Sequence, residues 1–284
     1  VRSNPVSSRA CMVFDDLLNT VVTPAVARAH EAITGETVGK ILFTSGSTGL
    51  PKGVITTNAM MACNQQMIRQ ALAFLEDEPP VLLDWMPWNH VAGGSHNVGI
   101  ALYNGGSFYI DDGQPTPGRF GRTLENLAMV QPTFFMNVPK AYEFLVAAFP
   151  DNPHVRRNLF VRLKLLQYAG AGLAQHVFDG LAEAARAETG ERILIITGYG
   201  STETAPFAFT TTWAVEEAGH IGLPAAGMSI KLVRNGEKHE LRLKGPNVTP
   251  VYWRDPEKTA EAFDDEGYYC IGDAVRFADP ERLD

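Results

Sequence analysis

Apolar and polar positions fall in short blocks along this chain, and the spacing within the blocks switches between two and about 3.6 residues. The runs Ile41–Thr44, Val81–Trp85, Ser107–Ile110, Thr133–Val138, Lys164–Ala169 and Arg192–Thr197 are short and strongly apolar, and they predict strands. Between several of them the apolar residues gather on one helical face, at Thr123–Val130, Lys140–Ala148 and Gln175–Ala187. Another helix is predicted to start at Thr56, Thr57 or Asn58, each able to cap it, and to run to about Leu75. Strands alternating with helices predict an α/β fold of layered, mostly parallel sheets with flanking helices. Beyond His220 the texture changes, and Ser229–Val233 with Glu240–Lys244 read as a hairpin turning at Asn235-Gly236. Three regions are therefore expected. Residues 1–38 form a connecting segment, 39–219 an α/β core, and 220–284 a smaller β-rich C-terminal subdomain.

Composition narrows the classes. With 45% hydrophobic and 20% charged residues, 284 residues can bury a substantial core. No run approaches the roughly 20 apolar residues of a membrane span. A formal charge of -8 argues against a broad nucleic-acid surface, which needs a basic footprint. Cys11, Cys63 and Cys270 lie far apart with no paired spacing, as suits free thiols in a reducing cytoplasm, and no transition-metal site is expected. Val1 and the closing Asp-Pro-Glu-Arg-Leu-Asp both read as cuts inside a longer protein.

The densest chemistry lies in Thr44-Ser45-Gly46-Ser47-Thr48-Gly49-Leu50-Pro51-Lys52-Gly53. Its glycines let backbone N–H groups turn inward as a nest for phosphate oxygens, its hydroxyls add donors, and Lys52 adds a mobile charge. It is not a Walker loop, because Pro51 and Gly53 stand where that pattern needs Gly and Ser or Thr. A second cluster, Gly198-Tyr199-Gly200-Ser201-Thr202-Glu203-Thr204, directly follows a predicted strand, where open α/β sheets bind ligands. Tyr199 offers a flat face for a base, Thr202 a hydroxyl for a phosphate, and Glu203 a hard oxygen for Mg²⁺. Read blandly, the first cluster is a surface turn and the second a loop with a solvated glutamate.

Together these strings resemble the signature motifs of the adenylate-forming superfamily: acyl-CoA synthetases, peptide-synthetase adenylation domains and luciferases. The segments Trp88-Asn89-His90, Gly93–Asn97, Leu102–Gly106 and Tyr109–Gly113 are most similar to bacterial feruloyl-CoA synthases, as are Gly245–Pro250 and Gly272–Phe277. The resemblance implies that Thr44, Ser45, Gly46, Ser47, Thr48, Gly49 and Lys52 hold the β- and γ-phosphates of ATP. It implies that Gly170, Ala171 and Gly172 line the adenine and acyl sites. Gly198, Tyr199, Gly200, Ser201 and Thr202 would cradle the adenylate, with Glu203 on Mg²⁺ and Asp273 on the ribose hydroxyls. Cys270-Ile271 and Val251 depart from the usual pattern. His90 matches a position gating the carboxylate pocket, and Gly198, Tyr168, Phe207 and Trp88 are expected to line the acid; His96 is expected to be structural.

The implied activity is an acid–thiol ligase that joins an aryl acid to CoA through an acyl-adenylate. Lys52, His90, Thr202 and Glu203 would carry the chemistry, with ATP, Mg²⁺ and CoA as cofactors and co-substrate. The hinge and C-terminal cap lysine of that family are expected to lie outside this chain, leaving the fragment poorly active. A non-catalytic nucleotide- and acyl-binding module and a peptide-synthetase-type adenylation domain are the alternatives. A homodimer is left open.

Overall fold

The computed structural model describes residues 12–45, 50–279 and 281, so the predicted phosphate-loop positions Gly46, Ser47, Thr48 and Gly49 lie outside it. Within 12–37 two short helices form, Phe14–Leu18 and Pro24–Glu31, and neither buries a residue. The chain then enters β1 (Val38–Ser45) and returns antiparallel as β2 (Pro51–Thr57), which pairs Thr44 with Lys52 and Phe43 with Gly53. The sequence pattern predicts the first of these strands but not the second, because Pro51-Lys52-Gly53 interrupts alternation where β2 begins. The helix Asn58–Ala71 follows, with Thr57 Oγ1 accepting the Met60 N–H at 3.3 Å as its cap.

Parallel strands build the centre. β3 (Val81–Asp84) pairs with β4 (Ser107–Ile110), and β5 (Phe134–Asn137), β6 (Leu165–Tyr168) and β7 (Leu194–Thr197) pair in that order. The two groups are joined where Thr133 N–H donates to Val81 O at 3.0 Å and Val81 N–H donates to Thr133 Oγ1 at 2.9 Å. Each predicted strand here appears within a residue or two of its expected limits. The helices Phe120–Leu127, Pro139–Ala148, Pro153–Phe160 and Gln175–Thr189 cover one face. Successive strand residues point to opposite faces. Leu166 and Tyr168 therefore join the core under those helices, while Leu165, Phe134, Met136 and Ile196 pack on the other face with Ile68 and Phe207.

A short antiparallel pair, β8 (Phe209–Thr210) with β9 (Leu223–Pro224), straddles the boundary expected at residue 220. The C-terminal sheet is three-stranded and antiparallel: β10 (Ser229–Asn235), β11 (Lys238–Lys244) and β12 (Tyr269–Val275). Its hairpin turns at Gly236-Glu237, one residue beyond the predicted pair, with Gly236 at φ 63° supplying the left-handed first position of such a turn. β12 is bulged, pairing Cys270 with Arg242 but Ala274 with Glu240. Bulges commonly re-aim a side chain beside a site, and this one contains Asp273.

Candidate functional site

The carboxyl ends of β6 and β7 lie side by side, since Tyr168 pairs with Thr197. The loops Gly170–Gly172 and Gly198–Thr204 leave those ends together, and residues 170–172 are exposed. The second loop is sharply folded: a Cβ at Gly200 would stand 1.7 Å from Pro206 O, so the backbone passes where only glycine fits. Thr202–Thr204 then make one 3₁₀ turn, which carries Glu203 inward to 4% exposure and leaves Thr202 half-buried.

The segment Thr249–Trp253 carries this turn to β2. Thr249 N–H donates to Glu203 O at 2.7 Å, Thr249 Oγ1 donates to Ile55 O at 2.8 Å, and Trp253 N–H donates to Gly53 O at 2.7 Å. Tyr252 bridges Val54 within that contact, and its ring is buried. Its hydroxyl accepts from Lys52 Nζ at 2.7 Å and donates to Glu203 Oε1 at 2.9 Å, while Lys52 Nζ and Glu203 Oε1 lie 2.8 Å apart. Burial alone would raise the Glu203 carboxyl pKa, but the Lys52 hydrogen bond and charge outweigh it and hold the group below its ordinary value. Thr44 Oγ1, across β1 from Lys52, is buried and has no hydrogen-bond partner among the described residues.

The β12 bulge brings in Asp273, whose Oδ2 accepts the Tyr199 hydroxyl at 2.8 Å. Tyr199 packs edge-on against Phe209, with ring centroids 5.7 Å apart. Burial, and then the Asp273 carboxylate, push its phenol pKa well up. The residues read as a base face and a ribose acceptor thus share one hydrogen bond, and the exposed Asp273 carboxylate retains a second oxygen.

The expected acid-side residues are not gathered in the same way. Phe207 is buried beside the 3₁₀ turn, but Tyr168 belongs to the opposite face of the sheet, with its hydroxyl accepting from Gly219 N–H at 2.9 Å. Trp88 is 58% exposed against Phe108. His90 is exposed too, and its Nδ1 accepts the Ala92 N–H at 3.2 Å.

Sequence reasoning missed Tyr252 and the two amides that hold the loop. Asn64 Nδ2 donates to Phe207 O at 2.8 Å, and Asn247 Nδ2 donates to Thr204 O at 2.8 Å and Phe207 O at 3.0 Å. Asn64 had a signal, being a polar residue on the apolar stripe Met60, Met67, Ile68 of its helix. Tyr252 had none beyond its type. A Tyr252→Phe variant keeps the ring but removes the hydroxyl that both Lys52 and Glu203 bond. It is expected to lower unfolding free energy by roughly 1.5–3 kcal/mol, the range for hydrogen bonds to charged groups, as measured by urea titration; an unchanged midpoint would show that the hydroxyl contributes nothing.

As for metal, no group of three or more His, Cys, Asp or Glu among the described residues could cage an ion. A lone carboxylate such as Glu203 nevertheless fits Mg²⁺, which is bound through one or two carboxylates together with substrate phosphates and water.

Residues 2–253 match a family profile described as "AMP-binding enzyme". The chain is 27% identical over 291 residues to a carboxylic acid reductase of Mycobacterium tuberculosis (strain ATCC 25618 / H37Rv), covering 92% of this chain and 23% of the relative. It is 28% identical over 244 residues to a feruloyl-CoA synthase of an Amycolatopsis species, covering 83% and 46%. Among solved structures, a malonyl-CoA ligase in a ternary product complex with methylmalonyl-CoA and AMP superposes with a TM-score of 0.72 at 27% identity, covering 88% of this chain and 52% of that one. The chain thus spans between about a quarter and a half of the length of these relatives.

Proposed function

The chain belongs to the AMP-binding enzyme family, and on that premise we propose that it is the nucleotide-binding part of a carboxylate–CoA ligase acting on aryl acids of the hydroxycinnamate kind. One observation carries the adenylation half: Lys52, Tyr252 and Glu203 converge within hydrogen-bond distance beside the loop that also presents Thr202 and Tyr199. In the proposed reaction a carboxylate oxygen of the acid attacks the α-phosphorus of ATP, forming the acyl–phosphate bond while pyrophosphate leaves. The CoA thiol then attacks the activated carbonyl, and AMP leaves.

Lys52 would donate to the outer phosphates, and Thr44 Oγ1 on the facing strand has no hydrogen-bond partner among the described residues. Thr202 would donate to the α-phosphate. Glu203 would hold Mg²⁺, whose contribution is to neutralise charge on the transferring phosphate. Tyr199 and Asp273 would hold adenine and ribose. As in other phosphoryl chemistry, the protein groups position reactants and balance developing charge.

The aryl preference rests on the likeness to feruloyl-CoA synthase and on Phe207 and Phe134, which line the same sheet face. A carboxylic acid reductase and a malonyl-CoA ligase are about equally similar, so the acid and the acyl acceptor are the parts to test. The full-length protein is expected to make CoA thioesters of ferulate and coumarate faster than those of palmitate or malonate, and to leave free amino acids unactivated. Preference for palmitate, malonate or an amino acid in a thioester and pyrophosphate-exchange assay overturns the aryl reading without touching adenylation.

A further inference from the structure

Tyr252 is fixed in place before its hydroxyl makes any contact. Its backbone bridges Val54 of β2 on one side, and on the other its N–H donates to Thr259 Oγ1 at 3.0 Å. Thr259 belongs to the helix Pro256–Ala262, whose first turn is capped by the Asp255 carboxylate accepting the Lys258 N–H at 3.1 Å. The Tyr252 side chain is buried, and the Lys52 ammonium lies over its ring, 4.5 Å from the centroid. Core packing alone accounts for a buried ring at this position. It does not account for a hydroxyl set between an ammonium and a carboxylate, because phenylalanine fills the same space.

Chemistry settles the direction of each hydrogen bond. An ammonium only donates and an ionised carboxylate only accepts, so the hydroxyl accepts from Lys52 Nζ and gives its one proton to Glu203. The two contacts to the carboxylate, from Tyr252 at 2.9 Å and from Lys52 at 2.8 Å, converge on Oε1, and neither falls on Oε2. The buried Tyr269 hydroxyl belongs to the same group, beside Tyr252, Ser201 and Glu203. Lys52 uses two of its three N–H donors on this arrangement and keeps one.

We propose that Tyr252 is a positioning residue for the metal and the triphosphate: by holding Oε1 it leaves Oε2 of Glu203 for Mg²⁺, and by holding Lys52 it leaves the remaining N–H for an outer phosphate. The inference rests on the adenylation reading above, in which Glu203 takes the metal and Lys52 the outer phosphates. Ligating carboxylates are commonly oriented by a hydrogen-bonded neighbour, and losing that neighbour typically lowers metal affinity by about 10- to 100-fold. Without the hydroxyl, the ammonium is no longer tied to the Oε1 side. It can settle between the two carboxylate oxygens, placing a positive charge where the metal has to bind.

The test uses the full-length protein with α,β-methylene-ATP, which cannot lose pyrophosphate, and with Mn²⁺ as a paramagnetic substitute for Mg²⁺. Tyr252→Phe is expected to weaken Mn²⁺ binding to the protein–nucleotide complex by roughly 10- to 100-fold in an electron paramagnetic resonance titration. AMP affinity, measured by calorimetry without metal, is expected to hold, because AMP lacks the outer phosphates. In ATP–pyrophosphate exchange the deficit should shrink as the metal concentration rises, which a general loss of fold does not produce. Glu203→Gln is the reference variant. If it weakens Mn²⁺ binding and Tyr252→Phe does not, the positioning role is overturned and the adenylation reading stands. An equal loss of AMP affinity in Tyr252→Phe means a disturbed fold and overturns the role as well. If neither variant changes Mn²⁺ binding, Glu203 is not the metal's carboxylate, and the inference fails together with that part of the reading. Should Tyr252→Phe not fold, 3-fluorotyrosine at residue 252 keeps both ring and hydroxyl. Its fluorine resonance is expected to move when Mg²⁺ joins the bound analogue, and a stationary resonance overturns the proposal.

Discussion

Replacing Lys52 by alanine is expected to slow ATP–pyrophosphate exchange by the full-length protein by roughly 10²–10³, the usual effect of losing one preorganised charge donor. Lys52 sits on β2 directly across from Thr44, at the mouth of the hairpin, and its ammonium is the positive group in the triangle with Tyr252 and Glu203. Calorimetry should show ATP affinity falling much more than AMP affinity, because AMP lacks the outer phosphates. A second effect separates loss of charge from loss of fold. Without Lys52, burial of Glu203 is opposed only by its remaining hydrogen bonds, Tyr252's among them, so its carboxyl pKa should rise and the acid limb of the exchange profile should move to higher pH. Equal losses for ATP and AMP, or an unmoved acid limb, would remove Lys52 from the outer phosphates.

The second large expected effect concerns stability against pH. Burial pushes the Asp84 pKa up from 3.8 to about 6 and pulls the His96 pKa down from 6.5 to about 4. The two act in opposite directions over the same window. Between pH 6.5 and 4 the unfolded chain protonates His96 while the folded chain refuses the proton, so this group makes stability fall on acidification. Between pH 6 and 3.8 the folded chain protonates Asp84 while the unfolded chain does not, so this group makes stability rise on acidification. In the wild-type chain they largely cancel. An Asp84→Asn variant exposes the histidine effect: from pH 7 to pH 4 it should lose about 2 kcal/mol more stability than wild type. His96→Gln should move the opposite way by about 3 kcal/mol. Denaturant titrations of all three proteins at both pH values give the comparison. Parallel stability curves would show that the two groups do not titrate as described.

What the sequence disclosed, and what it concealed, follows from which features are local. The strands β3 to β7 were legible because each is a short apolar run bounded by turn residues. Lys52, Tyr199, Glu203 and Asp273 were legible as candidates because loop chemistry is written in contiguous residues. The partnerships among them were not, since Lys52 meets Glu203 across 151 positions and Tyr199 meets Asp273 across 74. β2 was hidden by the proline and glycine at its start. Which of His90 and His96 faces inward was not legible, because the π turn Ala92–Asn97 shifts the inward-facing positions relative to an ordinary helix. Tyr168 could have been placed: in β6 it shares a face with Leu166, away from Leu165 and from the Phe207 side.

The two asparagines that secure the 204–207 segment have a consequence for how such a site can change. Asn64 and Asn247 grip Thr204 and Phe207 only through backbone groups, their carbonyl oxygens and the Phe207 N–H, which every residue except proline carries. The path of the chain beside Glu203 is therefore insulated from the identity of the side chain at 207. A laboratory library or a lineage can exchange Phe207 for a smaller or more polar residue, and so sample new acids, while the adenylating loop keeps its shape.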